Sequence, residues 1–155
     1  MVEKEIRYKG DGKSGRGAGS LRFLKEMTAL LDTNLIIRYL VEDDPRKADA
    51  VERLLAESKE KLLLLDLAFA EIVWVLQSYY GLEKHEIVEK LGTLLTLKSI
   101  KTNKKLLGRT LDFFAASPLN FVDAYQAAYT TSKGLDLYSY DKDFDKVAGL
   151  KRLEP

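Results

Sequence analysis

The sequence predicts an α/β fold of three layers, α/β/α, around a mostly parallel central sheet. Short apolar runs alternate with longer segments of helical apolar spacing, the order that a parallel sheet with crossover helices requires. Two of those runs, at residues 29–32 and 136–140, lead into an aspartate and then turn towards a helix. That arrangement leaves a carboxylate on the C-terminal edge of the sheet, where open α/β folds bind ligands. No internal repeat or second-domain linker interrupts the pattern, and 155 residues are enough for one core without staples.

Residues 1–28 stand apart as a glycine-rich basic arm. They carry seven Lys and Arg against four Asp and Glu, a net charge of +3. The Gly12-Lys13-Ser14 fragment lacks the earlier glycine and the preceding buried strand of a phosphate-binding loop, since Arg7 stands where that glycine belongs. The arm reads as flexible chain or as an overlong start upstream of Met27, and the folded domain as residues 29–155.

The first strand is expected at 29–32 and a helix at 34–41. Asp44 and Pro45 then read as N-cap and first-turn proline of a helix to about residue 57. Residues 62–65 are too short an apolar run for a helix and read as a second strand. A helix to about residue 80 follows, with Leu67, Ala70, Val73, Trp74 and Gln77 expected on its inner face and Gly81 as its stop. Further helices are expected at 84–97, 103–116 and 120–133, with a weak strand near 99–102. Asn120 caps the last of these helices and Gly134 ends it. A strand at 136–140, a short turn of helix carrying Phe144 and Val147, and an edge strand at 151–153 complete the chain.

Composition narrows the chemistry. Hydrophobic residues make up 46% and charged residues 32%, with a net charge of only +1. Attraction to a polyanion must therefore come from a local patch. There is no cysteine and one histidine, which excludes thiolate nucleophiles, Cys-based zinc sites and a paired-histidine nuclease mechanism within one chain. His85, among charged neighbours, reads as lying on a solvated helix face. No apolar run reaches membrane-spanning length and residues 1–28 lack a signal-peptide core, so the expected location is the cytoplasm.

Four acids share one topological description. Asp32 and Asp141 follow strands, while Glu71 and Asp123 lie in the first turns of helices. A parallel sheet would carry all four towards the same edge. Each also has a structural explanation: Asp32 as a cap, Glu71 as a partner of the helix dipole, Asp123 as half of a capping pair with Asn120, and Asp141 as a turn residue. As a set they are harder to explain structurally. Two carboxylates 4 Å apart repel by roughly 4 kcal/mol at an effective dielectric near 20. A hard divalent cation relieves that repulsion and supports in-line phosphodiester hydrolysis. Lys98, Lys101, Lys104, Lys105 and Arg109 form an acid-free basic stretch suited to phosphate contacts or to a solvated helix end. Tyr79, Tyr80, Tyr125 and Tyr129 suit base stacking, although their helical spacing favours packing.

The segments L-L-D-T-N-L-I-I-R-Y-L, A-F-A-E-I-V-W-V-L, F-V-D-A-Y-Q-A-A and L-Y-S-Y-D-K-D-F occur in an order and spacing that resembles the PIN-domain ribonucleases. Within that family the chain resembles specifically the VapC-type toxins of toxin–antitoxin pairs, and the resemblance covers about residue 28 to the end. The resemblance places the family's four acids on Asp32, Glu71, Asp123 and Asp141. It places supporting polar residues on Thr33, Asn34 and Ser139, with Asp145 near the last acid. It implies Mg²⁺- or Mn²⁺-dependent endonucleolytic cleavage of RNA, a homodimer, and inhibition by a small antitoxin whose tail enters the acidic groove. The basic arm departs from the family's compact start. A non-catalytic RNA- or protein-binding module and a metal-dependent phosphatase are the alternatives.

Overall fold

The computed structural model describes residues 27–155, so the arm expected over residues 1–28 lies almost wholly outside the described residues. In chain order the elements are β1 (Met27–Leu30), α1 (Thr33–Val41), α2 (Pro45–Glu57), β2 (Lys61–Leu63), α3 (Asp66–Ser78) and α4 (Lys84–Thr96). There follow β3 (Ile100–Lys101), α5 (Lys104–Ala116), α6 (Phe121–Lys133), β4 (Asp136–Tyr138), a 3₁₀ turn (Lys142–Lys146) and β5 (Lys151–Leu153). Among the described residues no helix is long and apolar enough to cross a membrane.

Every strand pairing is parallel, as the alternating pattern requires. The pairing runs β1–β2–β3 in one ladder and β4–β5 in another, so the expected central sheet is divided between β1 and β4. Strands of two to four residues make few ladder bonds, and the last residues of β1 and β4 are open: Leu30 is 60% and Tyr138 67% exposed. The first ladder extends beyond its formal strands, because Leu31 donates its N–H to the Leu63 carbonyl at 2.8 Å and Leu64 donates to that of Lys101 at 3.0 Å. Leu62, Leu64 and Ile100 are fully buried against Ile36, Ile72, Leu91 and Leu107. Each such side chain contributes about 2 kcal/mol by leaving water.

Helix ends follow local chemistry. The Asp44 side chain accepts the Lys47 N–H, with Pro45 in the first turn of α2. Asn103 and Asn120 cap α5 and α6 through the N–H groups of Leu106 and Asp123. Gly134 ends α6 in the left-handed region at φ 64°, where a side chain would be strained. Glu83 and Glu86 form a reciprocal capping box at the start of α4 that the sequence reading did not anticipate. His85 is exposed on that helix, as expected.

One expected face is corrected. Helix α3 buries Phe69, Ile72, Val73 and Leu76, so of the expected face Val73 points inward, whereas Leu67 is 78% and Trp74 66% exposed and Gln77 is exposed as well. The helix is apolar on most of its circumference, so helical spacing is satisfied by two overlapping faces. The pair Phe69 and Leu76 fills the core more completely, and Trp74 points away from it.

Candidate active site

Parallel pairing sets the position of the site. Strands β1, β2 and β3 all end at one edge, and the chain leaves β1 and β2 directly into helices α1 and α3. Asp32 sits in the turn between β1 and α1. Its backbone is extended, at φ −80° and ψ 147°, and its carboxylate accepts the Asn34 N–H at 3.0 Å, so it is the N-cap of α1. Capping and a site role are compatible here, because one carboxylate caps through a single oxygen and the residue is exposed.

Thr33 is only 9% exposed, and its hydroxyl donates to the Glu71 carboxylate at 2.7 Å, joining α1 to α3 across 38 residues of sequence. Asp32, Thr33, Asn34 and Glu71 line one cavity of about 320 Å³. The second pair of acids is built on α6 and the 3₁₀ turn. Asp123, in the first turn of α6, donates its N–H to Asn120 and accepts the Asn120 side-chain amide at 2.5 Å. Asp141 is the N-cap of the 3₁₀ turn, accepting the Asp143 N–H at 2.8 Å and donating its own N–H to the Ser139 hydroxyl at 3.0 Å. Partial burial and then the negative charge of Asp141 push the Asp123 carboxyl above its usual range, against the amide of Asn120. The two carboxylates therefore feel one another.

The four predicted acids thus stand as two pairs, Asp32 with Glu71 and Asp123 with Asp141. Among the described residues no group of three or more His, Cys, Asp or Glu comes together as one ion-binding cluster. The donor chemistry still suits a hard cation. Every candidate ligand is an oxygen, and Mg²⁺ commonly takes only one or two carboxylates and completes its shell with water and substrate phosphate. The negative charge of Asp141, which adds to burial in raising Asp123, is also what a cation would offset.

The remaining predicted residues divide. Ser139 braces Asp141 as described. The Asp145 carboxylate is held by Arg152, with Nε at 2.8 Å and Nη2 at 3.1 Å, and this pairing keeps Asp145 below the usual carboxylate range. Within the basic stretch, Lys104 donates to the Leu97 carbonyl at 2.6 Å, and burial, helped by Lys101, pulls its pKa down. Arg109 lies over the Phe113 ring at 5.3 Å. Lys101 closes β3 at the same sheet edge as Leu63, beside the start of α3, while Lys98 and Lys105 are exposed.

Two groupings escaped the sequence reading. Asp66, the first residue of α3, accepts the Tyr125 hydroxyl at 2.7 Å and the Thr102 hydroxyl at 3.2 Å. Burial and then that carboxylate push the Tyr125 phenol up to about 12. Arg38 pairs with Asp43, which also accepts the Tyr80 hydroxyl at 2.7 Å. Neither has a local sequence signal, because their partners are separated by up to 59 residues. A larger hollow of about 500 Å³, lined by Asp49, Glu52, Glu86, Glu89 and Lys90, contains none of the four acids.

Comparison with known proteins gives three results. The profile of the PIN domain matches residues 29–150. No curated protein matches the sequence. Among solved structures, the crystal structure of VapC20 from Mycobacterium tuberculosis, described as a toxin that cleaves the sarcin-ricin loop, matches at 19% identity and a TM-score of 0.38. That match covers 83% of this chain and 100% of the other. The domain profile spans the elements from β1 to the turn before β5, including all four acids, and on that ground the chain belongs to the PIN domain family.

Proposed function

We propose that the protein is a metal-dependent endoribonuclease, acting in the cytoplasm as the toxin of a toxin–antitoxin pair. The observation that carries this reading is the Thr33–Glu71 hydrogen bond beside Asp32, by which a carboxylate from the turn after β1 and one from the second turn of α3 share one cavity. Membership of the PIN domain family supports it.

In this reading Asp32, Glu71 and Asp123 would hold the cation, directly or through water, and Asp141 would complete the set or position the attacking water. A bound Mg²⁺ or Mn²⁺ supplies charge neutralisation for the phosphodiester and acidifies water for in-line attack. Thr33 orients Glu71, Asn34 fixes Asp32 through its backbone N–H, Asn120 anchors Asp123 and Ser139 braces Asp141. Asp145 assists only through its pairing with Arg152, which also binds the Ser139 carbonyl at 2.8 Å. Lys98, Lys101, Lys105 and the exposed Arg109 contribute salt-dependent phosphate contacts, while Lys104 is engaged by the Leu97 carbonyl.

The homodimer and the antitoxin belong to the same proposal. Leu67 and Trp74 on α3 and Val122 and Tyr129 on α6 are all exposed apolar groups. Leu67 and Val122 line a hollow of about 290 Å³ with Ala70, Phe121 and Tyr125. An apolar surface of this kind is characteristic of protein–protein contact. The decisive experiment is cleavage of a structured RNA in Mg²⁺ or Mn²⁺, with and without chelator, by wild type, Asp32→Asn and Asp123→Asn. Loss of metal-dependent cleavage in folded variants is expected. A folded Asp123→Asn protein that cuts like wild type refutes the reading. Turnover of a chromogenic phosphomonoester without RNA cleavage would make the protein a phosphatase.

A further inference from the structure

The cavity that holds Asp32 and Glu71 does not end at the acids. It runs along the groove between α1 and α3, and Arg38, Asp43, Tyr79 and Tyr80 line it as well. Glu71 and Val75 of α3 and Tyr79, the residue that caps its C-terminus in helical conformation, recur at intervals of four residues, so all three lie along this wall. Eight residues at 1.5 Å each separate Glu71 from Tyr79 by about 12 Å along the helix.

The far end has a defined build. Tyr79 is 79% exposed, yet its ring is not loose: it meets Tyr80 edge-on, with centroids 4.9 Å apart and planes at 77°. Tyr80 is anchored in turn through its hydroxyl to Asp43, and Asp43 to Arg38. A braced chain of three side chains thus holds one aromatic face towards solvent at the mouth of a groove whose other end carries the carboxylates.

We propose that Tyr79 is a base-stacking residue, taking the nucleobase that flanks the scissile phosphate of a single-stranded RNA, with Arg38 beside it for the adjoining phosphate. The inference rests on the ribonuclease reading of the acids and adds a subsite to it. The chemistry favours a base over other ligands. Asp43 already balances most of the Arg38 charge, so Arg38 orients the adjoining phosphate and the affinity at this end comes mainly from the flat π face, which every base can match. Tyr80 and Asp43 are positioning residues, because they act through Tyr79 and Arg38.

The test compares wild type, Tyr79→Ala and Tyr79→Phe on a fluorescein-labelled, mixed-sequence single-stranded oligoribonucleotide. Anisotropy in chelator reads binding without cleavage, and initial rates in Mn²⁺ read KM and kcat. Removing one stacked base should weaken Kd and raise KM by about tenfold in Tyr79→Ala. The change in kcat should be much smaller, and Tyr79→Phe should restore tight binding because the ring and not the hydroxyl carries the contact. Circular dichroism checks that the variants are folded. A wild type that cleaves RNA alongside a folded Tyr79→Ala with unchanged Kd and KM overturns this inference alone. A defect of equal size in Tyr79→Phe also overturns it. A wild type that neither binds nor cleaves RNA overturns the ribonuclease reading, and this subsite with it.

Discussion

Replacing Asp123 by Asn should stabilise the metal-free protein while destroying its proposed activity. Asp123 is partly buried and feels the charge of Asp141, and both effects push its carboxyl above the usual range. A full pair of carboxylate charges 4 Å apart would repel by roughly 4 kcal/mol at an effective dielectric near 20. Asp141 is exposed and Asp123 only half-buried, so solvent and salt screen most of this, leaving about 1 kcal/mol. Asparagine keeps an oxygen to accept the Asn120 amide and leaves the Asp123 N–H cap in place. The expected gain is thus about 1 kcal/mol, or about 4 °C in Tm. Its pH dependence has a definite sign. The folded state holds the Asp123 proton more tightly than the unfolded chain, so the stability this proton contributes is present below the unfolded carboxylate value and lost as pH rises through the folded one. The advantage of the variant should therefore appear near neutral pH and vanish in acid. Thermal unfolding in chelator at pH 7 and at about pH 3.5 reads it directly. In Mn²⁺ the order should reverse, because ligand binding raises wild-type stability and the variant has lost a ligand. An Asn variant no more stable than wild type in chelator, or equally favoured at both pH values, would refute the electrostatic account of this pair.

Three further predictions concern the supports around the acids. Thr33→Val removes the hydroxyl that holds Glu71. Denaturant unfolding should show a loss of about 1 kcal/mol and cleavage assays a lower kcat, with Thr33→Ser restoring both. Lys84→Met removes bonds to the carbonyls of Phe114 in the last turn of α5 and of Ser117 and Leu119 beyond it, at 3.4, 3.1 and 2.6 Å. That should cost about 2 kcal/mol in the same measurement. Arg152 keeps Asp145 below the usual carboxylate range, so their pairing stabilises above the unfolded carboxylate value and is lost as pH falls through the lowered one. Acid titration of the unfolding midpoint should show a shallower fall below about pH 4 in Arg152→Met than in wild type.

Elements whose ends are written in local chemistry were legible from the sequence. Helix α2 opens at Pro45 behind the Asp44 cap, and α6 runs from the Asn120 cap to Lys133 before Gly134. Strand β5 lies at Lys151–Leu153, as read. Strand β1 ends at Leu30 instead of reaching Asp32, because Asp32 spends its oxygen on the cap of α1. The rotation of α3 was not legible, since Trp74 and Phe69 both satisfy a helical apolar period and only the packed core decides between them. Nor was the pairing of the acids. Sequence order shows which residues follow strands, but β1 and β4 belong to separate ladders, so no local pattern sets how their acids approach one another. The ties of Asp66 to Tyr125 and of Asp43 to Tyr80 span 59 and 37 residues, beyond any local pattern.

Asp66 has a consequence for how this protein tolerates change. It joins the first turn of α3, which leads to Glu71, to Tyr125 two residues beyond Asp123, and to Thr102 beside Lys101. Three elements that each bring a residue to the site are thus tied through one carboxylate that has no proposed part in the chemistry. Substitutions along those elements should not behave independently. A change at Glu71 and one at Asp123 share the Asp66 tie, so their combined effect should depart from the sum that well-separated positions obey. The same tie confines drift in sequence: β3, α3 and α6 can exchange their surface residues freely only while Asp66, Thr102 and Tyr125 change together.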